Sequence, residues 1–283
     1  MPEPSSVELK RLLELAESAA RAAGAELLSR FRRTRDVQWK TYRGERTVVT
    51  DADFAADAAI RRILTEHVPD HVIFSEEFPH DDILGPDVWV VDPLDGTDNY
   101  ARGQPQFCVS VAHATHGRSD VGVVFDPVRD ELFAAVFDSA ATLDGLPMRV
   151  TERADPREAA VAWAQRGITP EDSRRFWSGL AAAAARFHRV RMTGAAALEM
   201  AWVGAGRYDG ALFSNIKWWD HAAASLIVER AGGSASDLYN APMGPNSRRC
   251  VLSNGHLHAV IVELAREHGL HEAFPPSSVD PPE

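Results

Sequence analysis

The segment Val88–Asn99 places two carboxylates where a strand gives way to a turn. Four apolar residues lead to Asp92, and Asp95 follows three residues later, directly before Gly96 and Thr97. Two carboxylates held this close can bridge two hard cations, and a hydroxyl at the N-terminus of a helix suits phosphate oxygens. Because proline cannot donate to a sheet, we expect the strand to end at Asp92. An Asp-rich turn that caps a helix would use the same residues, so this segment does not decide between the two.

Three further segments carry charged residues that fit such a site. Glu76 and Glu77 follow the apolar run 72–75, Asp220 opens a predicted helix, and Asp51 precedes another, with Lys40 upstream. Each has an ordinary alternative: a solvated Glu pair, or an aspartate that caps a helix. Asp51 could instead act on a hydroxyl or a water molecule.

Together these segments resemble the inositol monophosphatase family, within the wider fructose-bisphosphatase-like superfamily. The resemblance extends over about residues 8 to 265, with its motifs in the order of the family. They are Glu76-Glu77, Asp92-Pro93-Leu94-Asp95-Gly96-Thr97-Asp98-Asn99, Thr193–Ala197, Gly206–Gly210, and Trp219-Asp220 leading to Gly232-Gly233. Each motif is weak evidence by itself, but the set is specific.

The resemblance implies a phosphomonoesterase that depends on two or three Mg²⁺ ions. It implies these metal ligands: Glu76, Asp92, the carbonyl of Leu94, Asp95 and Asp220, with Glu77 as an accessory. It further implies that Thr97, polarised by Asp51, orients the attacking water, and that Glu76 contributes to catalysis. Substrate would lie against Asp95, Gly96, Thr97, Gly194, Ala195, Ala196 and Asp220, with Lys40, Phe213 and Lys217 as accessory positions.

Two departures from the family pattern bear on the substrate. Some inositol-specific members have a glutamate just before the Trp-Asp motif, whereas the stretch Phe213–Lys217 has no acid. Ala195 stands where relatives often have a hydroxyl residue. We therefore expect a small polyol or sugar phosphate, with histidinol phosphate and 3′-phosphoadenosine 5′-phosphate as alternatives.

Two other classes of protein are alternatives. A haloacid-dehalogenase-type phosphatase needs two aspartates one residue apart, and the spacing of Asp92 and Asp95 excludes it. A non-catalytic regulatory protein on the same fold is disfavoured, because all the expected carboxylates and Thr97 are present.

The pattern of elements predicts an α/β (α+β) protein. A capping box at Ser5–Glu8 opens a helix to about Arg33, and a second helix runs from Ala52 to His67. Short strands dominate the first half, and strands alternate with helices in the second. The resemblance implies a layered αβαβα sandwich. We expect an N-terminal half (1–145) with most metal ligands, a C-terminal half (146–274) with Asp220 and the substrate side, and a disordered tail (275–283).

Composition limits the partners. The 283 residues carry 30 Lys+Arg and 41 Asp+Glu, a net charge of −11. Such a chain is disfavoured as a nucleic-acid or anionic-membrane binder. We expect a cytoplasmic protein that acts on a small phosphate ester, and the resemblance implies a homodimer. The pairs His113/His116 and His256/His258 could bind zinc, but without nearby cysteines core or surface roles are favoured.

Overall fold

The computed structural model describes residues 5–32, 37–42, 45–78, 83–165 and 170–272. Within these ranges the chain forms helices that alternate with strands. The α-helices are α1 (Ser6–Arg30), α2 (Asp51–His67), α3 (Thr97–Ala101), α4 (Pro170–Arg186), α5 (Ala196–Gly204), α6 (Trp218–Arg230) and α7 (His258–Glu267).

A large sheet occupies the first half of the described chain. Its strands, in spatial order, are β3 (Val72–Ser75), β4 (Val88–Asp95), β5 (Cys108–Thr115), β6 (Arg118–Asp126), β7 (Glu131–Val136), β8 (Thr142–Leu143) and β9 (Leu146–Pro147). Strands β3 and β4 are parallel, and the other neighbouring pairs are antiparallel. A separate hairpin joins β1 (Val37–Tyr42) to β2 (Glu45–Thr50).

A smaller sheet forms in the second half. Its spatial order is β11 (Arg189–Arg191), β10 (Ala160–Gln165), β12 (Gly210–Ser214), β14 (Arg249–Ser253) and β13 (Ser234–Ser236). Strand β10 is parallel to both of its neighbours, whereas β14 is antiparallel to both of its own.

The elements stack as five layers. Helices α1 and α2 cover one face of the large sheet, and α5 and α6 lie between the two sheets. Helices α4 and α7 cover the outer face of the small sheet. The predicted αβαβα sandwich is confirmed, with apolar cores between successive layers.

Small residues bring α6 unusually close to the large sheet. A Cβ at Gly122 on β6 would lie 2.7 Å from the carbonyl oxygen of Ala223 on α6. The run Ala222–Ala224 is buried against this strand. Because neither surface carries a bulky side chain here, α6 holds its first turn close to the end of β4.

The strand prediction was wrong at Pro93. Strand β4 continues to Asp95 instead of ending at Asp92. The pairing with β5 shifts between Asp92, opposite Ser110, and Asp95, opposite Cys108. The resulting bulge accommodates a residue that cannot donate to the sheet.

Other boundaries differ modestly from the sequence predictions. Helix α1 ends at Arg30 rather than near Arg33, and α2 begins at Asp51 rather than Ala52. The division at 145/146 stays a prediction, and the tail 275–283 lies outside the described residues. Among the residues described, none of the helices is long and apolar enough to cross a membrane.

Candidate active site

Three aspartates from two distant elements meet at the end of strand β4. Asp92 and Asp95 lie on β4, and Asp220 lies in the first turn of α6. All three are fully buried, and one carboxylate oxygen from each lies within 4.8 Å of the others. The structure therefore brings together three of the residues that the family resemblance implies as metal ligands.

Backbone amides orient the two carboxylates of β4. The Leu94 amide donates to Oδ1 of Asp92 (3.0 Å), and the Ala197 amide at the start of α5 donates to Oδ2 of Asp95 (2.8 Å). The thiol of Cys108 also lies 3.6 Å from Oδ2 of Asp95. One oxygen of each carboxylate is thus fixed, which sets the direction of the other oxygen.

Asp220 is oriented in the same way from the opposite side. Its Oδ2 accepts the amide of Lys217 (2.7 Å), the residue that precedes α6. Trp218 and Trp219 are both buried on this turn, and Phe74 packs against their rings. The aromatic contacts hold the start of α6, and with it the carboxylate, against the large sheet.

Gly96 makes the sharp turn between β4 and α3. Its φ of +90° lies in the left-handed region, where glycine carries no steric penalty. A Cβ at this position would lie 2.8 Å from the Gln106 carbonyl and 3.2 Å from the Cβ of Ala195. Gly96 and Ala195, both expected on the substrate side, therefore face each other, and their lack of bulk lets the two segments approach.

The predicted partner of Thr97 was wrong by two residues. The Thr97 hydroxyl lies 3.2 Å from Oδ1 of Asp53 and 3.0 Å from the carbonyl of Leu94. Asp51 is 62% exposed and faces Arg30 on α1. The reason is the helix start: Thr50 is the N-cap of α2, so Asp51 points outward and Asp53 turns inward.

Asp53 is both buried and strongly hydrogen-bonded. Its Oδ2 accepts the amide and the hydroxyl of Thr50, each at 2.7 Å. Burial raises the pKa of Asp53 to about 7; the Thr50 hydrogen bonds oppose this rise, and the charges of Glu77 and Glu76 add to it. A carboxyl that titrates near neutrality beside a hydroxyl is suited to proton exchange.

Glu76 and Glu77 lie in the loop that follows β3. The Glu76 amide donates to the Val91 carbonyl (3.0 Å), which ties this loop to β4 next to Asp92. Both carboxylates act electrostatically on Asp53. Glu76 does not belong to the group of three carboxylates within 4.8 Å, although its backbone is tied to β4 beside Asp92.

The expected substrate-side residues Gly194, Ala195 and Ala196 lie at the start of α5, next to the turn that follows β4. Ala195 is the N-cap of α5, Ala196 is its first residue, and Gly194 precedes them. The Asn99 side chain donates to the carbonyls of Gln106 and Thr193, at 2.8 and 2.7 Å. These two hydrogen bonds hold the 193–196 segment against the turn that follows β4.

Of the three expected accessory positions, the structure places one next to the carboxylates and one in the core. Phe213 is buried in β12 and belongs to the core between the sheets. Lys217 is the N-cap of α6, next to the carboxylates. The backbone of Lys40 lies on β1, but its side chain lies outside the described residues.

The donor set fits a divalent cation. Three ionised carboxylates this close repel one another, and the repulsion falls when a cation lies between them. Oxygen ligands of this kind suit Mg²⁺, which also retains several waters. Asp92, Asp95 and Asp220 can therefore hold a metal, with Glu76 and the Leu94 carbonyl beside them.

Sequence reasoning missed Asp53 and Asp57 on α2. Asp57 is buried, with Oδ1 2.5 Å from the Ser75 hydroxyl and Oδ2 2.5 Å from Arg61. A signal was present: the two aspartates are four residues apart, on the same helix face as the buried residues Ala56 and Ile60. Acids on an apolar face indicate a specific partner.

Comparison with known proteins finds relatives that match most of the chain. The model of the inositol monophosphatase family matches residues 8–270. The Nus factor SuhB of Pasteurella multocida is 35% identical over 261 residues, covering 90% of this chain and 93% of the relative. The inositol-1-monophosphatase of Synechocystis is 34% identical over 257 residues, with 90% and 88% covered.

Solved structures agree with the sequence comparisons. The Thermotoga maritima IMPase superposes with a TM-score of 0.83 at 30% identity, covering 93% of this chain and 99% of that one. The SuhB protein of Bartonella henselae gives 0.83 at 29% identity, covering 91% and 99%. A family match over most of the length, together with the aspartate cluster, identifies the chain as a member of the inositol monophosphatase family.

Proposed function

We propose that the protein is an Mg²⁺-dependent phosphomonoesterase that hydrolyses a small polyol or sugar phosphate. The observation that carries the proposal is the buried cluster of Asp92, Asp95 and Asp220 next to the Thr97–Asp53 pair. Phosphate monoesters hydrolyse extremely slowly in water, so the site must supply a large reduction of the barrier. Bound Mg²⁺ would supply charge neutralisation and a more acidic water.

The chain's own residues would hold and orient the reactants. Asp92, Asp95 and Asp220 hold the metal, with Glu76 and the Leu94 carbonyl as further ligands. Thr97 orients the attacking water through its hydroxyl, and Asp53 accepts the proton that this hydroxyl passes on. Because Asp53 is buried behind Thr97, it acts through the hydroxyl and does not contact the phosphate.

The substrate proposal rests on the segment 194–196 at the start of α5. Gly194 is exposed, and the buried Ala195 and Ala196 that follow it carry only small side chains. A polyol or sugar ring fits against such a surface, since it needs room and polar backbone groups. The inositol-1-monophosphatase of Synechocystis, 34% identical to this chain, supports inositol 1-phosphate as the first compound to test.

A panel assay tests the proposal. Phosphate release is measured with inositol 1-phosphate, histidinol phosphate, 3′-phosphoadenosine 5′-phosphate and several sugar phosphates, with Mg²⁺, with EDTA, and with added Li⁺. We expect turnover of at least one compound that needs Mg²⁺ and is inhibited by Li⁺. Activity that ignores both EDTA and Li⁺ would contradict the proposal.

A non-catalytic role is the alternative in a different class. Several relatives, including the 35% identical Pasteurella multocida protein, are named for a Nus factor role and not for an enzymatic activity. The complete carboxylate cluster favours catalysis, because a regulatory protein has no need to keep three buried aspartates together. The absence of turnover on the whole panel with Mg²⁺ would favour the regulatory alternative.

We also propose that the protein is cytoplasmic, as its composition suggests, and that it forms a homodimer, as the family resemblance implies. Light scattering after size-exclusion chromatography distinguishes the 31.0 kDa monomer from a species of twice that mass. A single monomer peak at micromolar concentration would contradict the dimer.

A further inference from the structure

A second group of possible metal ligands lies at the opposite end of the large sheet. His71 precedes β3, Asp87 precedes β4, and His113 lies within β5. Because these strands are neighbours, the three side chains meet, with one ligand atom from each within 4.8 Å of the others. Asp87 lies five positions before Asp92 along extended chain, a distance of about 16 Å at ~3.3 Å per residue. This group is therefore distinct from the active site.

His113 is the least satisfied member of the group. Its side chain is fully buried, and neither ring nitrogen has a hydrogen-bond partner among the described residues. Nε2 lies 3.4 Å from Oδ1 of Asp87, and Nδ1 lies 3.6 Å from Oδ2 of Asp120. An imidazole buried in this way is costly unless something completes its bonding.

The spacing of the ligand atoms matches a tetrahedral metal site. Nε2 of His71 lies 3.9 Å from Oδ1 of Asp87, and the corresponding distance from His113 is 3.4 Å. Zinc bonds of about 2.0–2.2 Å place two ligands of a tetrahedron ~3.3–3.6 Å apart. Small side-chain adjustments would therefore close the site around one ion.

A bulge in β6 supplies the support that a ligating histidine needs. His113 pairs with Val121 and Ala114 with Ser119, so Asp120 is an extra residue on β6. The bulge directs its buried carboxylate toward Nδ1 of His113, and the Thr115 hydroxyl donates to the same Oδ2 at 2.5 Å. Metal-bound histidines commonly use a carboxylate in this position to fix the ring and its tautomer.

His71 is held by Trp89. The indole N–H donates to Nδ1 of His71 at 3.2 Å, so Nε2 faces Asp87. Because Nδ1 accepts this bond, Nε2 carries the ring proton in the metal-free protein; binding of an ion through Nε2 would shift that proton to Nδ1 and give up the hydrogen bond from Trp89.

We propose that His71, Asp87 and His113 bind one divalent transition-metal ion of the zinc class, with water as the fourth ligand. Asp120 is a positioning residue behind His113. Asp87 is 47% exposed at its side chain, which gives the ion and the water a route to solvent. The ion would join the ends of β3, β4 and β5. The sequence favours a core or surface role for His113 and its neighbour in the chain His116; the fold brings His71 and Asp87 to His113 instead.

Cobalt spectroscopy of the full-length, tag-free protein tests the site. Co²⁺ is titrated into metal-stripped protein with excess Mg²⁺ present, so that the oxygen-rich aspartate cluster is occupied. Tetrahedral Co²⁺ absorbs visible light far more strongly than octahedral Co²⁺. We expect a tetrahedral spectrum that saturates at one ion per chain and is displaced by one equivalent of Zn²⁺.

Variants decide which residues bind. We expect Asp87→Asn and His113→Gln each to weaken Co²⁺ binding at least tenfold. Asp87 is partly exposed, so D87N keeps the test valid if the buried H113Q variant fails to fold. The matched control is His188→Gln at an exposed histidine, and D95N is the control for the other cluster. Absence of the tetrahedral spectrum would show that the group binds no such ion, and its persistence in D87N would show that Co²⁺ binds elsewhere; either result would overturn the proposal.

Discussion

Two aspartates on the first turn of α2 have opposite surroundings. Asp51 faces solvent and Arg30, whereas Asp53 is buried against Thr50 and Thr97. The pairing of Asp53 with the Thr97 hydroxyl places a proton acceptor behind the residue that would orient water. Catalytic work should therefore depend on one of these carboxylates and not on the other.

Replacing each aspartate in turn separates these roles. We expect Asp53→Asn to lower kcat by about 10²- to 10⁴-fold, the range for loss of a general base. Asp51→Asn removes an exposed carboxylate and should change kcat by less than about threefold. Steady-state phosphate release, with circular dichroism to verify the fold, measures both. Equal losses in the two variants would refute the assignment.

Some of the residues of the candidate site could be predicted from the sequence, and others could not. Asp92 and Asp95 were predictable because they lie three positions apart in the chain, and Asp220 because of the motif around it. Asp53 was not, because the choice between it and Asp51 depends on which residue caps α2. The capping box of Thr50 and Asp53 sets that rotation, and one residue of difference moves a side chain by about 100° around the helix.

At the scale of elements, the turn after β4 positions the site. Gly96 has φ of +90° and lies within contact distance of the Gln106 carbonyl, so it combines a conformational and a steric requirement. Gly145, between β8 and β9, has φ of +75° but would place a Cβ in open space. Both glycines thus need a left-handed backbone conformation, but only Gly96 also lacks room for a Cβ.

The glycine pair predicts two different costs. Gly145→Ala should lower the free energy of unfolding by about 1–2 kcal/mol, the penalty for a left-handed residue. Gly96→Ala should cost more than this and should also abolish most activity, because the Cβ would push the turn away from the 106–107 segment. Denaturant unfolding and phosphate release provide the comparison. A Gly96→Ala variant as active and stable as Gly145→Ala would contradict the account of the turn.

Helix α5 carries a buried carboxylate, that of Glu199, in its first turn. Glu199 accepts the Thr193 amide at 3.0 Å, and burial raises the pKa of Glu199 to about 7, with the hydrogen bonds from Thr193 opposing the rise. The folded state therefore retains a proton that the unfolded chain gives up at an ordinary pKa of 4.5. Its stabilising contribution is complete below about pH 4.5 and is lost as the pH rises through about 7.

Replacement by glutamine removes this dependence. Without metal, wild-type protein should lose up to about 3 kcal/mol of unfolding free energy to Glu199 between pH 4.5 and 7. The variant Glu199→Gln should lack that part of the loss. Asp53 titrates in the same direction, so the contribution of Glu199 is the difference between wild type and variant in urea unfolding. Parallel pH profiles would contradict the assignment.

Elements were predicted best where one period dominated. The apolar spacing of α1 and the buried run before Asp92 fixed those elements to within a few residues. The continuation of β4 through Pro93 was not predictable, because the bulge opposite β5 is a property of the strand pair. The αβαβα layering came from the family resemblance, since the separate cores form only when both sheets are placed.

At the scale of the whole molecule, the net charge of −11 acquires a local meaning. Asp92 and Asp95 come from the large sheet, and Asp220 comes from the layer between the sheets. Without metal this cluster repels a phosphate. Two or three Mg²⁺ ions would bring four to six positive charges into it and reverse the local field. The same ions would connect two layers of the sandwich.

Metal binding should therefore stabilise the entire fold. Saturating Mg²⁺ is expected to raise Tm by a few degrees relative to protein in EDTA, as for any ligand that binds only the native state; 100 Kd of ligand contributes about 2.7 kcal/mol. The Asp220→Asn variant should lose most of this rise, and Asp51→Asn should retain it. Differential scanning calorimetry measures both. An unchanged rise in Asp220→Asn would mean that the ion binds elsewhere.

If the three buried aspartates hold the Mg²⁺ on which phosphate-ester hydrolysis depends, removing one of their charges must abolish turnover. Phosphate release from the best substrate of the panel, measured against Mg²⁺ concentration for wild type and Asp95→Asn, tests this dependence. We expect saturable activation by Mg²⁺ in wild type and a loss of at least about 10³-fold in the variant, with an unchanged circular dichroism spectrum. Undiminished turnover by Asp95→Asn would show that hydrolysis does not depend on a metal held by these aspartates.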